Sequence, residues 1–213
     1  MRRLPLVCVL FCLSLNGEIV DRIAIAIGRQ VVTELQIDEE LRVAAFQNHV
    51  PISEDLEARR AAADRIVTQL LVSREMQLSR YPMPPDGDVD RYLAQIRSSF
   101  ASDTAYHQGL DAYRINETIL KRHLADQLAI LSFVELRFRP TLDVSDSEIR
   151  SFYDRELATW KTDHPGIPAP SFDAARPAIR KTLTEKDTDQ ILDAWLEEAR
   201  KQVNIIYLDK ALR

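Results

Sequence analysis

Strand periodicity is confined to the two ends of this chain. Ile23, Ile25 and Ile27 alternate with Ala24 and Ala26, and Gly28, Arg29 and Gln30 can turn the chain into a second short strand at Val31 and Val32. At the far end Val203, Ile205, Ile206 and Tyr207 are again strand formers. A lone hairpin or strand is marginal in water, so the two ends are expected to meet in one sheet. The fold class that follows is mainly α, a multi-helix domain with a small antiparallel β-sheet made of an N-terminal hairpin and a C-terminal strand.

Between the ends the apolar residues recur at helical spacing. Thr33 and Gln36 form a capping box for a helix over residues 34–47. Ser53 is read as the N-cap of a long helix with Leu56, Ala63, Ile66, Val67, Leu70, Leu71 and Leu78 on its apolar face. The run Tyr81-Pro82-Met83-Pro84-Pro85 ends it, because proline lacks the amide donor and restricts the residue before it. Val89, Tyr92, Leu93, Ile96 and Phe100 mark a third helix, and a short one follows over residues 104–112. Asn116 caps the next, whose core-facing stripe is read as Ile119, Leu120, Leu124, Leu128, Leu131 and Val134 up to Arg139-Pro140. Ser145 and Glu148 form a second capping box for a helix through Tyr153 and Leu157. His164-Pro165-Gly166-Ile167-Pro168-Ala169-Pro170 is a loop, and the last helix starts near Ser171 and runs past Pro177, where a bend is expected, to Ala199.

The first residues read as a secretory signal: Arg2 and Arg3 precede an apolar run over residues 4–15 that is short for a membrane span. Cleavage near Gly17 implies a periplasmic or otherwise exported protein with no stable membrane insertion once the signal is removed. Both cysteines, Cys8 and Cys12, fall in that segment, so the mature chain is left without disulfides, thiolate metal sites or a cysteine nucleophile. Loss of Arg2 and Arg3 takes the formal charge from -5 to -7, which argues against a general nucleic-acid binder.

Few residues suggest chemistry. His49, His107, His123 and His164 have no metal-ligand spacing, and His123, near an apolar stripe, is read as a hydrogen-bonded structural imidazole. The chain has no Gly-x-Ser-x-Gly elbow, no phosphate-cradling loop and no dinucleotide fingerprint, so neither catalytic residues nor a cofactor are expected. Acidic runs such as Glu54-Asp55 belong to the first turns of helices, where they meet the positive end of the dipole. Aromatic residues near helix ends and loops are the best candidates for contact with another chain: Phe100, Tyr106, Tyr153, Trp160 and Phe172 are taken as client-binding candidates, although aromatics at helical spacing commonly serve the core. Among them Trp160, beside the proline-rich loop, is expected to be the most exposed.

The order of parts resembles a known family. Ile19-Val20-Asp21-Arg22-Ile23-Ala24-Ile25-Ala26-Ile27 followed by Val31-Val32-Thr33-Glu34-Leu35 looks like the N-terminal hairpin and first helix of SurA-type periplasmic chaperones. Val144-Ser145-Asp146-Ser147-Glu148-Ile149-Arg150-Ser151-Phe152-Tyr153 is similar to that family's helix before its parvulin-type isomerase domain, and residues 172–208 resemble its closing helix and strand. The resemblance implies residues 1–17 as signal peptide, 18–157 as helical chaperone core, 158–170 as a loop where the parvulin domain is missing, and 171–213 as the helix and strand that complete the core. It further implies an ATP-independent holdase for unfolded exported or outer-membrane proteins, without isomerase activity. Two alternatives stay open: a degenerate isomerase relative acting with an isomerase partner, and a structural envelope protein with one fixed partner.

Overall fold

The computed structural model describes residues 21–212. The signal-peptide reading, with both cysteines, lies outside the described residues. Strand β1 (Ile23–Ile27) is the centre of a three-stranded antiparallel sheet, with β2 (Gln30–Thr33) on one side and β3 (Ile205–Tyr207) on the other. The ends of the chain therefore meet as the marginal stability of a lone hairpin requires. The register pairs Ala26 with both Val31 and Ile206. Gly28 turns the hairpin at φ 57°, in the left-handed region such a turn needs. Its amide donates to the Asn204 carbonyl at 2.9 Å, tying the turn to the C-terminal strand.

Thr33 caps α1 (Glu34–Asn48) with both halves of the capping box formed, as its spacing to Gln36 dictates. Helix α2 (Leu56–Leu78) is capped by Asp55 and not by Ser53. The Asp55 carboxylate accepts from the Ala58 amide at 2.8 Å, and the Ser53 hydroxyl donates to that carboxylate at 2.5 Å, so the serine supports the cap from two positions further out. Leu56 and Leu78, read as core-facing, are exposed at the two ends of this helix. Helices α3 (Asp86–Ser98) and α4 (Asp103–Ala112) precede α5 (Glu117–Arg137), which Asn116 caps. A 3-10 turn (Arg139–Thr141) leads to α6 (Asp146–Asp163), then to α7 (Phe172–Lys201). Residues 158–163 are helical, not loop: nothing between Ala158 and Asp163 breaks a helix, and Pro165 is the first residue that does. The connection is thus shorter than the sequence suggests.

Four apolar clusters hold these elements. The sheet packs on α1, α2 and the C-terminal half of α7 through Ile25, Ile37, Val67, Leu196 and Leu212. The end of α1 gathers α3, α4 and the start of α5 around Phe46, Tyr106 and Leu120. Val72, Met76 and Phe133 join α2 to α5 and to Trp195 of α7. The fourth cluster stands apart: Val144, Ile149 and Ile179, flanked by Phe152, Tyr153, Phe172 and Leu183, join α6 to the N-terminal half of α7 only. Helix α7, 30 residues and about 45 Å long, therefore serves two bodies. Its second half completes the main core; its first half forms a helical hairpin with α6.

Candidate functional site

Where α5 and α7 part company, an open apolar groove of about 860 Å³ lies between them. Ile130, Leu131 and Val134 of α5 and Pro177 and Leu192 of α7 supply its apolar lining. Leu131 is 55% exposed. The stripe reading placed Leu131 and Val134 in the core; Val134 is half-buried against the third cluster, but Leu131 is open because α7 leaves the body before it can cover this part of α5, its first half being committed to α6. Thr184 and Thr188 line the same face without charge. Pro177 lies inside α7 and has no amide hydrogen, so the carbonyl of Asp173 lacks its helical donor there.

Charged side chains form the rim. Arg139 pairs with Glu135 one turn earlier on α5. Arg176 and Arg180 share the Asp146 carboxylate at 2.5 and 3.0 Å, which fixes the first turn of α6 against α7. Lys181 stands 3.8 Å from Glu185, and Asp189 follows one turn later. A second depression, about 360 Å³ between α3 and α5, is less than half the size of the groove and is lined mainly by the charged side chains of Asp86, Glu117, Lys121 and Arg122.

The aromatic candidates lie elsewhere. None of Phe100, Tyr106, Tyr153, Trp160 and Phe172 lines the groove. Tyr106 is a core residue at 0% exposure, packed edge-on against Phe46 and Phe100, its hydroxyl donating to Glu117 at 3.4 Å. Burial, then the Glu117 charge, pushes its phenol up to about 12. Phe100 stacks on Phe46 with centroids 5.6 Å apart and is half-buried. Tyr153 and Phe172 meet edge to face at 5.4 Å inside the α6–α7 hairpin, and the Tyr153 hydroxyl donates to the Pro170 carbonyl. Trp160 is half-buried, stacked on His164 at 4.0 Å, with its indole donating to the Ile167 carbonyl at 3.3 Å. These contacts make it a clasp for the loop after α6. Helical spacing places an aromatic on a face, but only the neighbouring helix decides whether that face is covered.

One buried polar cluster joins α1, α2 and α5. Glu40 accepts from Arg65 at 2.6 Å and from Nδ1 of His123 at 2.9 Å. Burial raises the Glu40 carboxyl, but the hydrogen bonds and charges of His123 and Arg65 outweigh it and hold the group below the ordinary glutamate range. Asp126, one turn beyond Arg122, is raised by burial despite the nearby His123 and Arg122. His123 is thus the hydrogen-bonded structural imidazole expected from its position. Among the described residues no group of three or more His, Cys, Asp or Glu side chains is placed to hold a metal ion, and no helix is long and apolar enough to cross a membrane. No family model matches the chain, and no curated protein matches it.

Proposed function

We propose that the protein is an ATP-independent holdase chaperone that binds unfolded exported polypeptides, in the periplasm, and has no enzyme activity of its own. The observation that carries this reading is the groove between α5 and α7, which leaves Leu131 and its neighbours open to a visiting chain. A holdase needs apolar surface, and binding that surface stabilises whichever state of the client displays it. The groove offers about 860 Å³, large enough for several client side chains. The resemblance of the hairpin, the Ser145 helix and the closing helix and strand to SurA-type chaperones supports the same reading. The short connection of residues 164–171 leaves no room for an isomerase domain of the kind that family carries.

The test is suppression of aggregation. Purified protein should keep several unrelated unfolded exported proteins soluble at near-stoichiometric ratios, without nucleotide. Leu131→Glu should lose most of that effect while keeping its helical circular dichroism, since the side chain is already exposed. Protection of one protein alone, or equal protection by Leu131→Glu, would defeat the proposal. Proline-limited refolding should proceed at its uncatalysed rate, and an acceleration proportional to added protein would show that an isomerase activity had been overlooked.

A further inference from the structure

The charges of α7 that border the groove are sorted by sign along the helix. Arg176, Arg180 and Lys181 lie toward the hairpin, and Glu185 and Asp189 toward the body. Asp146 offsets one of the two arginines, and the Arg139–Glu135 pair on α5 and the Lys181–Glu185 pair on α7 are each neutral in themselves. One end of the groove is left with an excess of one positive charge, shared by Arg176 and Arg180, and the other with one negative charge at Asp189. At the rise of an α-helix Arg180 and Arg176 stand about 14 to 20 Å from Asp189, the span of roughly four to six residues of extended chain. The floor between them, Ile130, Leu131, Val134, Pro177 and Leu192, is apolar.

Building on the holdase reading, we infer that the groove selects an unfolded client segment of about four to six apolar residues bordered by an acidic residue on one side and a basic residue on the other. The acidic flank lies on Arg176 and Arg180, and the basic flank on Asp189. Segments flanked by like charges place one of them against its own sign, which weakens binding and disfavours the wrong sequence. The rim is exposed, so the preference is modest and salt-sensitive.

Fluorescein-labelled peptides with one apolar core and four sets of flanks (Glu and Lys, Glu and Glu, Lys and Lys, Ser and Ser) test this by anisotropy on the full chain. The Glu/Lys peptide should bind roughly three- to tenfold more tightly than either like-charged peptide, with the gap closing near 1 M salt. The double variant Glu185→Lys, Asp189→Lys alters exposed positions only and should transfer the preference to the Glu/Glu peptide. Equal affinity for all four peptides, with binding still abolished by Leu131→Glu, would overturn the charge selection and leave the holdase reading standing. Absence of binding by any of them would remove both. A groove occupied by a second copy of this chain would show as a dimer in sedimentation that Leu131→Glu dissociates and no peptide displaces, and that too would overturn the inference.

Discussion

Glu40 is 3% exposed and holds Arg65 and His123 together at the junction of three helices. Taking away one partner of a buried ionic group leaves the others unsatisfied, so Glu40→Gln should cost roughly 3 kcal/mol near neutral pH. The pH dependence has a definite sign. The folded carboxyl lies below its ordinary value of 4.5, so its contribution is fully present above 4.5 and is lost as pH falls through the folded value. Asp126 works the opposite way: its folded value lies above 3.8, so it favours the folded state in acid and opposes it as pH rises through that value. Urea unfolding from pH 3 to 7 should show wild type approaching Glu40→Gln as the medium turns acid, with Asp126→Asn removing the opposing trend. A constant gap between wild type and Glu40→Gln at every pH would refute the assignment. The helical position of His123 made a hydrogen-bonded imidazole legible in the sequence. Its partner was not, because Glu40 lies 83 positions earlier and only packing brings the two together.

Local chemistry decides what an element discloses in advance. The boxes at Thr33 and Ser145 act over three residues, so both helix starts are readable from sequence. Whether α6 ended at Leu157 or Asp163 was not, since residues 158–163 tolerate helix and only Pro165 forbids it. The β1–β3 pairing was legible by elimination and gives the second prediction. Ending the chain before Val203 removes β3, and with it Val203, Ile205, Tyr207 and Leu212 from the cluster over α2. One buried side chain at about 1.5–3 kcal/mol and three partly buried ones at less, plus a strand pairing, should lower Tm by at least about 8 °C in a single cooperative transition. An unchanged melt would mean the sheet stands without its third strand. Trp160 belongs to this scale too, as the clasp of one loop. Trp160→Ala should leave Tm within about 2 °C and groove-peptide affinity unchanged, while nicking by a protease in residues 164–170 speeds up. Weaker peptide binding would place Trp160 in the client site after all.

At the scale of the molecule the groove exists because α7 divides its loyalties, and no stretch of sequence records that. The heptad-like apolar residues of α5 look alike from Leu124 to Leu131, yet Leu124 is buried in the cluster with α1, α3 and α4 and Leu131 is open, since α7, the helix beside it, has turned to α6 by that point. The same division makes the α6–α7 hairpin a separate cooperative unit. Its cluster of Val144, Ile149 and Ile179 is small and shares no residue with the other three clusters, so it should open at a free energy below that of global unfolding. Hydrogen exchange resolved by segment reports this. Amides of α6 and of the first half of α7 should exchange faster than those of α1, α2 and α5, and Ile149→Ala should accelerate the hairpin amides by at least about tenfold while the body keeps its rates. Large-to-small changes at buried isoleucines cost about 2–5 kcal/mol, ample to expose a unit this size. Equal acceleration across α1, α2 and α5 would mean that hairpin and body fold as one. The groove would then be a fixed feature of a single rigid unit, with no independently opening wall.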